Sequence, residues 1–333
     1  MKKTKETINY GIDIGTHSVK LVKLKVSEEK AELLAFDAEP LQLDLSVVLK
    51  KIRERHTGMD ALNIAASGQS SVIRYIDFPH MNIAELKQAL KFEAQKYITF
   101  LNNEVNLDAA ILKDNLPDNK MFVLLAAVKK DWLGLRMRSI EAAGLRVSTV
   151  DIDSLALVNA FNFNYASDEQ LKNKAIALLN IGAAVTNLSI LDGGIPQLSR
   201  DIQTAGNTFT QKLADLLHID SKAAEALKLV PDPANEAKMT AVRESLIANL
   251  FAEVRTSFDY YESQHPLSIA KIFLSGGGSK FPGIKDALAG FLGTEIEPWD
   301  PFKNITLAPN INAEKLKDFA PQLAVAAGLA LRR

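Results

Sequence analysis

A chain of 333 residues, 47% hydrophobic and 24% charged, can bury a large core, and its length suggests roughly two domains. Its 39 Lys and Arg against 40 Asp and Glu leave a formal charge of -1, which gives no general attraction for nucleic acid or anionic lipid. Without cysteine there is no disulfide framework, thiolate zinc site or thiol nucleophile, a composition that fits the cytoplasm.

The chain opens on a short basic segment, Met1-Lys2-Lys3-Thr4-Lys5-Glu6, that lacks the apolar stretch of a signal peptide, so secretion is not expected. Residues 12–22 then alternate apolar and polar around Gly15, the pattern of a β-hairpin. A block with its own alternation follows at 70–78, and then a helix over 83–98 with Asn82 as N-cap and Glu85 as its capping-box partner. The apolar stripe of that helix is Ile83, Leu86, Leu90, Ala94 and Tyr97, while Phe92 falls off it and is free to meet solvent, a partner or a neighbouring domain. Strands are expected near Ala109 and over 121–128, and a helix over 132–143.

Residues 177–190 repeat the first hairpin about half a chain later, again with Asp or Asn two residues before a turn glycine. One strand-turn-strand per half predicts two similar lobes. Pro231-Asp232-Pro233 marks a loop, and a long helix over 237–263 carries Val242, Leu246, Leu250, Val254, Phe258 and Tyr261 on one side as core. The strand 271–275 runs straight into Gly276-Gly277-Gly278-Ser279 and then a helix over 285–291, an arrangement that can bring a ligand against backbone amides and a helix N-terminus. Residues 323–331 are apolar and Ala-rich but half the length of a membrane span, so a buried terminal helix is expected and no direct membrane insertion.

Two hairpin turns facing each other across a cleft can hold a nucleoside triphosphate, because turn amides and hydroxyls coordinate phosphate without a basic surface. Thr16, His17 and Ser18 supply the first turn and Gly182, Ala183 and Ala184 the second, with the glycine strand-turn on the adenosine. Lys20 is placed to return a cation to the phosphates, or is an ordinary exposed lysine. Asp13 is placed to hold Mg2+ through water, to brace its hairpin, or both.

The motifs Gly11-Ile12-Asp13-Ile14-Gly15-Thr16-His17-Ser18-Val19-Lys20, Asn180-Ile181-Gly182 and Leu274-Ser275-Gly276-Gly277-Gly278-Ser279 resemble, in this order, the phosphate-1, phosphate-2 and adenosine motifs of actin, FtsA and DnaK-type ATPases. Within that superfamily the chain looks most like the PilM family of type IV pilus assembly proteins. The segments Phe92-Glu93-Ala94-Gln95-Lys96-Tyr97-Ile98 and Val254-Arg255-Thr256-Ser257-Phe258-Asp259-Tyr260-Tyr261-Glu262-Ser263 add to that likeness, which runs from Tyr10 to the final helix.

The resemblance implies an actin-like two-lobed α/β fold of duplicated ribonuclease H-like domains with an FtsA-type inserted small α+β subdomain. The first lobe would take residues 1–67, 151–173 and the helix 319–333, and the insertion 68–150. The second lobe would take 174–217 and 268–318, with a small helical subdomain at 218–267. It implies ATP or ADP with Mg2+ as cofactors, phosphates at Gly15, Thr16, His17, Ser18, Lys20, Asn180, Gly182, Ala183 and Ala184, and adenosine at Glu225, Lys228, Gly276, Gly277, Gly278 and Ser279. Without the family context Glu225 and Lys228 read as a solvated helix pair.

The implied partners are other pilus assembly proteins and the N-terminal cytoplasmic peptide of PilN, an inner-membrane protein through which the chain would be peripheral to that membrane. Where hydrolytic relatives carry Asp in the second phosphate motif, this chain has Asn180, so turnover is expected to be weak or absent. Asp153 is the one candidate for orienting water and equally an N-cap for the helix that follows. Two rivals belong to other classes. A small-molecule kinase would need an acceptor pocket and a carboxylate base, for which no motif is present. An FtsA-like filament protein would carry an amphipathic tail helix, where this chain runs through an apolar helix to Arg333.

Overall fold

The computed structural model describes residues 6–98, 104–229 and 236–332. Strands β1 (Thr7–Ile14), β2 (Ser18–Val26) and β3 (Ala31–Pro40) form an antiparallel meander, followed by α1 (Leu45–Arg55) and β4 (Ala61–Ala66). The chain then leaves this sheet for β5 (Ser71–Pro79), α2 (Ile83–Glu93), β6 (Val105–Leu116) and β7 (Lys120–Lys129). It returns through α3 (Lys130–Ala142), β8 (Arg146–Ile152) and α4 (Asp153–Tyr165).

A second meander, β9 (Ala175–Ile181), β10 (Thr186–Asp192) and β11 (Ile195–Ile202), leads to α5 (Gly206–Leu217), α6 (Ser221–Leu229) and α7 (Glu236–Glu262). The chain finishes with β12 (Ile269–Ser275), α8 (Ile284–Leu292), β13 (Glu295–Pro298), β14 (Thr306–Leu307), α9 (Ala313–Phe319) and α10 (Ala324–Leu331).

The two large sheets repeat one topology. Strands run β3-β2-β1-β4-β8 in the first, extended at its edge by β14, and β11-β10-β9-β12-β13 in the second. Each is a three-strand meander whose first strand pairs in parallel with a fourth, and the fourth in parallel with a fifth. Crossover connections of this kind place helices against the sheet and leave the strand ends free to carry loops. The duplication inferred from the two hairpins is therefore present over five strands per lobe.

Between β4 and β8 the inserted strands form a separate sheet, β5-β7-β6, with its own core around Leu86, Leu90, Met121, Val123 and Leu125. The insertion is narrower than 68–150. Ile140, Ala143 and Leu145 pack into the core of the first lobe, and β8 pairs with β4, because returning to that sheet requires α3 as a crossover. Likewise α6 and α7 share one continuous core with the second sheet through Ala224, Leu250, Val254 and Phe258 rather than forming a unit of their own. The side chain of Leu246 and the loop expected at Pro231-Asp232-Pro233 lie outside what the structure describes.

On α2, which ends at Glu93 and passes into a 3-10 turn over Ala94–Lys96 rather than running to 98, Leu86 and Leu90 are buried as the stripe requires, as is Ala94 just beyond it, but Ile83 at the first turn is 43% exposed and Phe92 is 82% exposed. The capping box forms: Asn82 Oδ1 accepts from the Ala84 and Glu85 amides while Glu85 accepts from the Asn82 amide.

The lobes meet on an apolar hinge. Every residue of α10 is buried, and the helix lies against α4 and the first sheet. Phe161 and Tyr165 of α4 pack on Phe273 of β12 and on Trp299, with ring centroids 4.7–6.2 Å apart, so aromatic contacts cross from one lobe to the other. No helix among the described residues is long and apolar enough to cross a membrane.

Candidate functional site

The strand ends of both lobes converge on a cavity of about 440 Å3. From the first lobe it is lined by Asp13, Gly15, Thr16, His17, Ser18, Lys20 and Asp153; from the second by Asn180, Gly182, Ala183, Ala184, Glu225, Lys228, Gly276, Gly277 and Gly278. Of the site residues expected from sequence only Ser279 is absent from the lining, because its hydroxyl turns back to donate to the Gly276 carbonyl at 2.6 Å.

Each hairpin turn is tight. The Gly15 amide donates to the Ser18 carbonyl at 3.1 Å and the Gly182 amide to the Val185 carbonyl at 3.0 Å. This geometry leaves the amides of Thr16, His17, Ala183 and Ala184 without a protein acceptor among the described residues, and all four residues border the cavity. Unpaired backbone donors at a cavity rim need water or an acidic ligand. At the third element Gly276 has φ +89, and a Cβ there would stand 2.3 Å from the Ile181 carbonyl, so only glycine lets this turn approach β9.

The two hairpins carry equivalent pairs with different chemistry. Across the first, Asp13 faces Lys20, and Lys20 Nζ donates to Asp13 Oδ2 at 2.8 Å. Across the second, Asn180 faces Asn187, and Asn180 Nδ2 donates to Asn187 Oδ1 at 3.0 Å. The charged pair of one lobe is thus a neutral amide pair in the other. Ser275 Oγ donates to Asn180 Oδ1 at 3.1 Å, so both ends of that amide are occupied.

Asn187 extends the network across the lobe boundary. Its Nδ2 donates to Asp153 Oδ2 at 2.9 Å and to Asp201 Oδ1 at 2.8 Å. Both carboxyls are shifted upward: Asp153 by burial and then by the charge of Asp201, and Asp201 by burial. Asp153 stands at the first residue of α4, where its Oδ1 also accepts from the Ser154 amide at 2.8 Å.

At the other end of the cavity, Lys228 Nζ donates to Glu225 Oε2 at 2.6 Å and to Thr210 Oγ1 at 3.1 Å, and Thr210 Oγ1 donates to Glu225 Oε2. Lys228 is buried, which corrects the bare-sequence picture of a solvated pair. Burial opposes ionisation of Glu225, but the hydrogen bonds from Lys228 and Thr210 outweigh it and hold its carboxyl below the usual range.

Sequence reasoning missed Asn187, Asp201 and Thr210, and also Gly206, Lys280 and Gln322 in the lining. A signal for Asn187 existed, since it follows Asn180 by the same seven residues that separate Asp13 from Lys20.

Two lobes of matching topology, a helical hinge and a cleft floored by paired hairpins define an actin-like protein with a small inserted α+β subdomain. The chain belongs to the PilM family: the sequence model for the type IV pilus assembly protein PilM matches residues 11–333. A solved structure described as a PilM-PilN type IV pilus biogenesis complex superposes with a TM-score of 0.86 at 27% identity, covering 97% of this chain and 98% of that one. The ethanolamine utilization protein EutJ from Carboxydothermus hydrogenoformans shares the fold at a TM-score of 0.53 and 15% identity, over 98% of this chain and 89% of that one.

Proposed function

We propose that this chain binds ATP or ADP between its lobes and acts as a cytoplasmic scaffold of type IV pilus or related secretion assembly. It would dock the N-terminal cytoplasmic peptide of PilN, which would hold it at the inner membrane and couple that complex to other assembly proteins. The observation that carries the reading is the convergence of three turns, from both lobes, on one cavity in a chain of this family. The role of PilN rests on family membership and on the similarity to a structure solved as a PilM-PilN complex.

The residues fit a nucleotide. Four unpaired turn amides and the Lys20 ammonium would meet phosphates, and Glu225, Lys228, Gly276, Gly277 and Gly278 would meet the nucleoside. Among the described residues no group of three His, Asp or Glu could hold a metal ion. Mg2+ would therefore arrive with the phosphates, with Asp13 reaching it through water.

Hydrolysis is expected to be slow. Asn180 supplies no carboxylate, and Asp153, the acid expected to orient water, is buried, engaged by Asn187 and drawn toward its neutral form. A positioned general base typically contributes about a hundred- to ten-thousandfold, so its loss leaves binding intact. Calorimetric titration of the purified chain with ATP·Mg and with a PilN N-terminal peptide checks the proposal. Saturable binding of both, without multiple rapid turnovers, is expected; binding of neither would overturn it.

A further inference from the structure

The inserted subdomain is carried covalently by the first lobe, yet its polar contacts reach the second. Its strand β5 is an edge of its sheet, as β11 is of the second lobe's sheet, and the two edges face each other. Tyr75 of β5 is hydrogen-bonded through its hydroxyl to Ser199 Oγ of β11 at 2.8 Å, and Ser199 is bonded in turn to Ser189 Oγ of β10 at 3.2 Å. The Tyr75 ring stacks on Phe122 within its own sheet, so the hydroxyl is presented by a braced side chain. At the start of the insertion Gly68, with φ +57, lines the same small cavity as Asp201.

Asp201 is the side chain that shares the Asn187 amide with Asp153. Asp153 in turn borders both the main cavity and a smaller one of about 250 Å3, which lies among Gly68, Ser71, Arg74, Ser199 and Asp201. Ser199 and Asp201 stand two residues apart on β11, so the attachment of the insertion and the floor of the cleft share one strand.

We propose that the insertion is latched to the second lobe by Tyr75 on Ser199, so that the lobe angle set by the occupant of the cavity is imposed on the insertion and on whatever docks there. The coupling half rests on the nucleotide reading given above. A ligand shifts a conformational equilibrium only by its differential affinity for the two states, and a second lobe pinned to the insertion supplies such a difference.

Hydrogen exchange over residues 68–79 tests this in the full chain, with ATP·Mg as probe and with Tyr75→Phe and Ser199→Ala as variants outside the main cavity. Without ligand, exchange over 71–79 is expected to rise several-fold in either variant, since each removes the cross-lobe contact while Tyr75→Phe keeps the ring stacked. Unchanged exchange in both would overturn the latch. In the wild type ATP·Mg is expected to slow exchange over 68–79 several-fold, and the variants should lose at least half of that slowing while their ATP affinity, titrated separately, stays within about twofold. ATP that binds but leaves 68–79 unaltered overturns the coupling alone. ATP that fails to bind the wild type overturns the coupling together with the nucleotide reading.

Discussion

Asn180 bears on both stability and turnover through one amide. It accepts from Ser275 and donates to Asn187, and that donation orients Asn187 so that its own NH2 group faces Asp153 and Asp201. Substituting Asn180→Asp introduces an acid at the second turn, but it removes the donor and sets a carboxylate oxygen against Asn187 Oδ1. Asn187 can relieve that contact only by flipping, which turns its carbonyl oxygen toward two carboxyls. The change should therefore destabilise the chain by about 1–3 kcal/mol, the cost of a buried polar group left unpaired. It should not raise ATP turnover. Denaturant unfolding and a phosphate-release assay check the two halves, and a variant that is both stable and faster would show that this network does not restrain the acid.

At the scale of elements, the packing of α10 on α4 depends on Gly328. A Cβ there would stand 1.8 Å from the Ala156 carbonyl oxygen, so Gly328→Ala must push apart a pair of buried helices whose backbones touch. Overpacking of this kind costs about 1–3 kcal/mol or more, and thermal melting should report a fall of several degrees. Gly290 on the exposed side of α8 is the control: nothing lies within 4 Å of its missing Cβ, and Gly290→Ala should stabilise by about 0.5–1 kcal/mol through helix propensity alone.

These elements also mark what the sequence made legible. Hairpins, the glycine strand-turn, the amphipathic helices and the capping box were readable because each rests on local spacing, and with the family motifs they were enough to place sixteen of the cavity's residues on one surface. The partners of those residues were not readable. Asp201 reaches Asn187 through the pairing of β10 with β11, Thr210 meets Glu225 and Lys228 between α5 and α6, and α3 returns to the first sheet; all depend on tertiary packing that no local pattern records. The same limit explains Ser279, whose motif position fits the glycine turn but whose rotamer is set by the Gly276 carbonyl.

For the molecule as a whole, the join between lobes contains a buried acid, Asp153, and a half-buried one, Asp201, and this gives the fold a pH dependence opposite to that of its surface pairs. Asp153 and Asp201 have raised pKa values in the folded chain, so folded protein holds protons that unfolded protein releases. Their contribution is fully present below the unfolded aspartate value of about 3.9 and is lost as pH rises through the folded values. Carboxyls held low, such as Glu225 and Asp37, act in the reverse sense: their contribution is present above the unfolded value and lost as pH falls through the folded one. The two sets offset each other to some degree in any single melting curve, so the informative quantity is a difference between variants. Asp201→Asn keeps an acceptor for Asn187 but removes one titrating group and the charge that helps raise Asp153. Relative to this variant, the wild type should lose stability steadily as pH rises from about 4 toward neutrality, and the gap should stop widening once both acids are ionised. Melting temperatures measured at matched ionic strength across that range check it. Parallel profiles for the two proteins would mean that the acids at the lobe boundary do not exchange protons on folding.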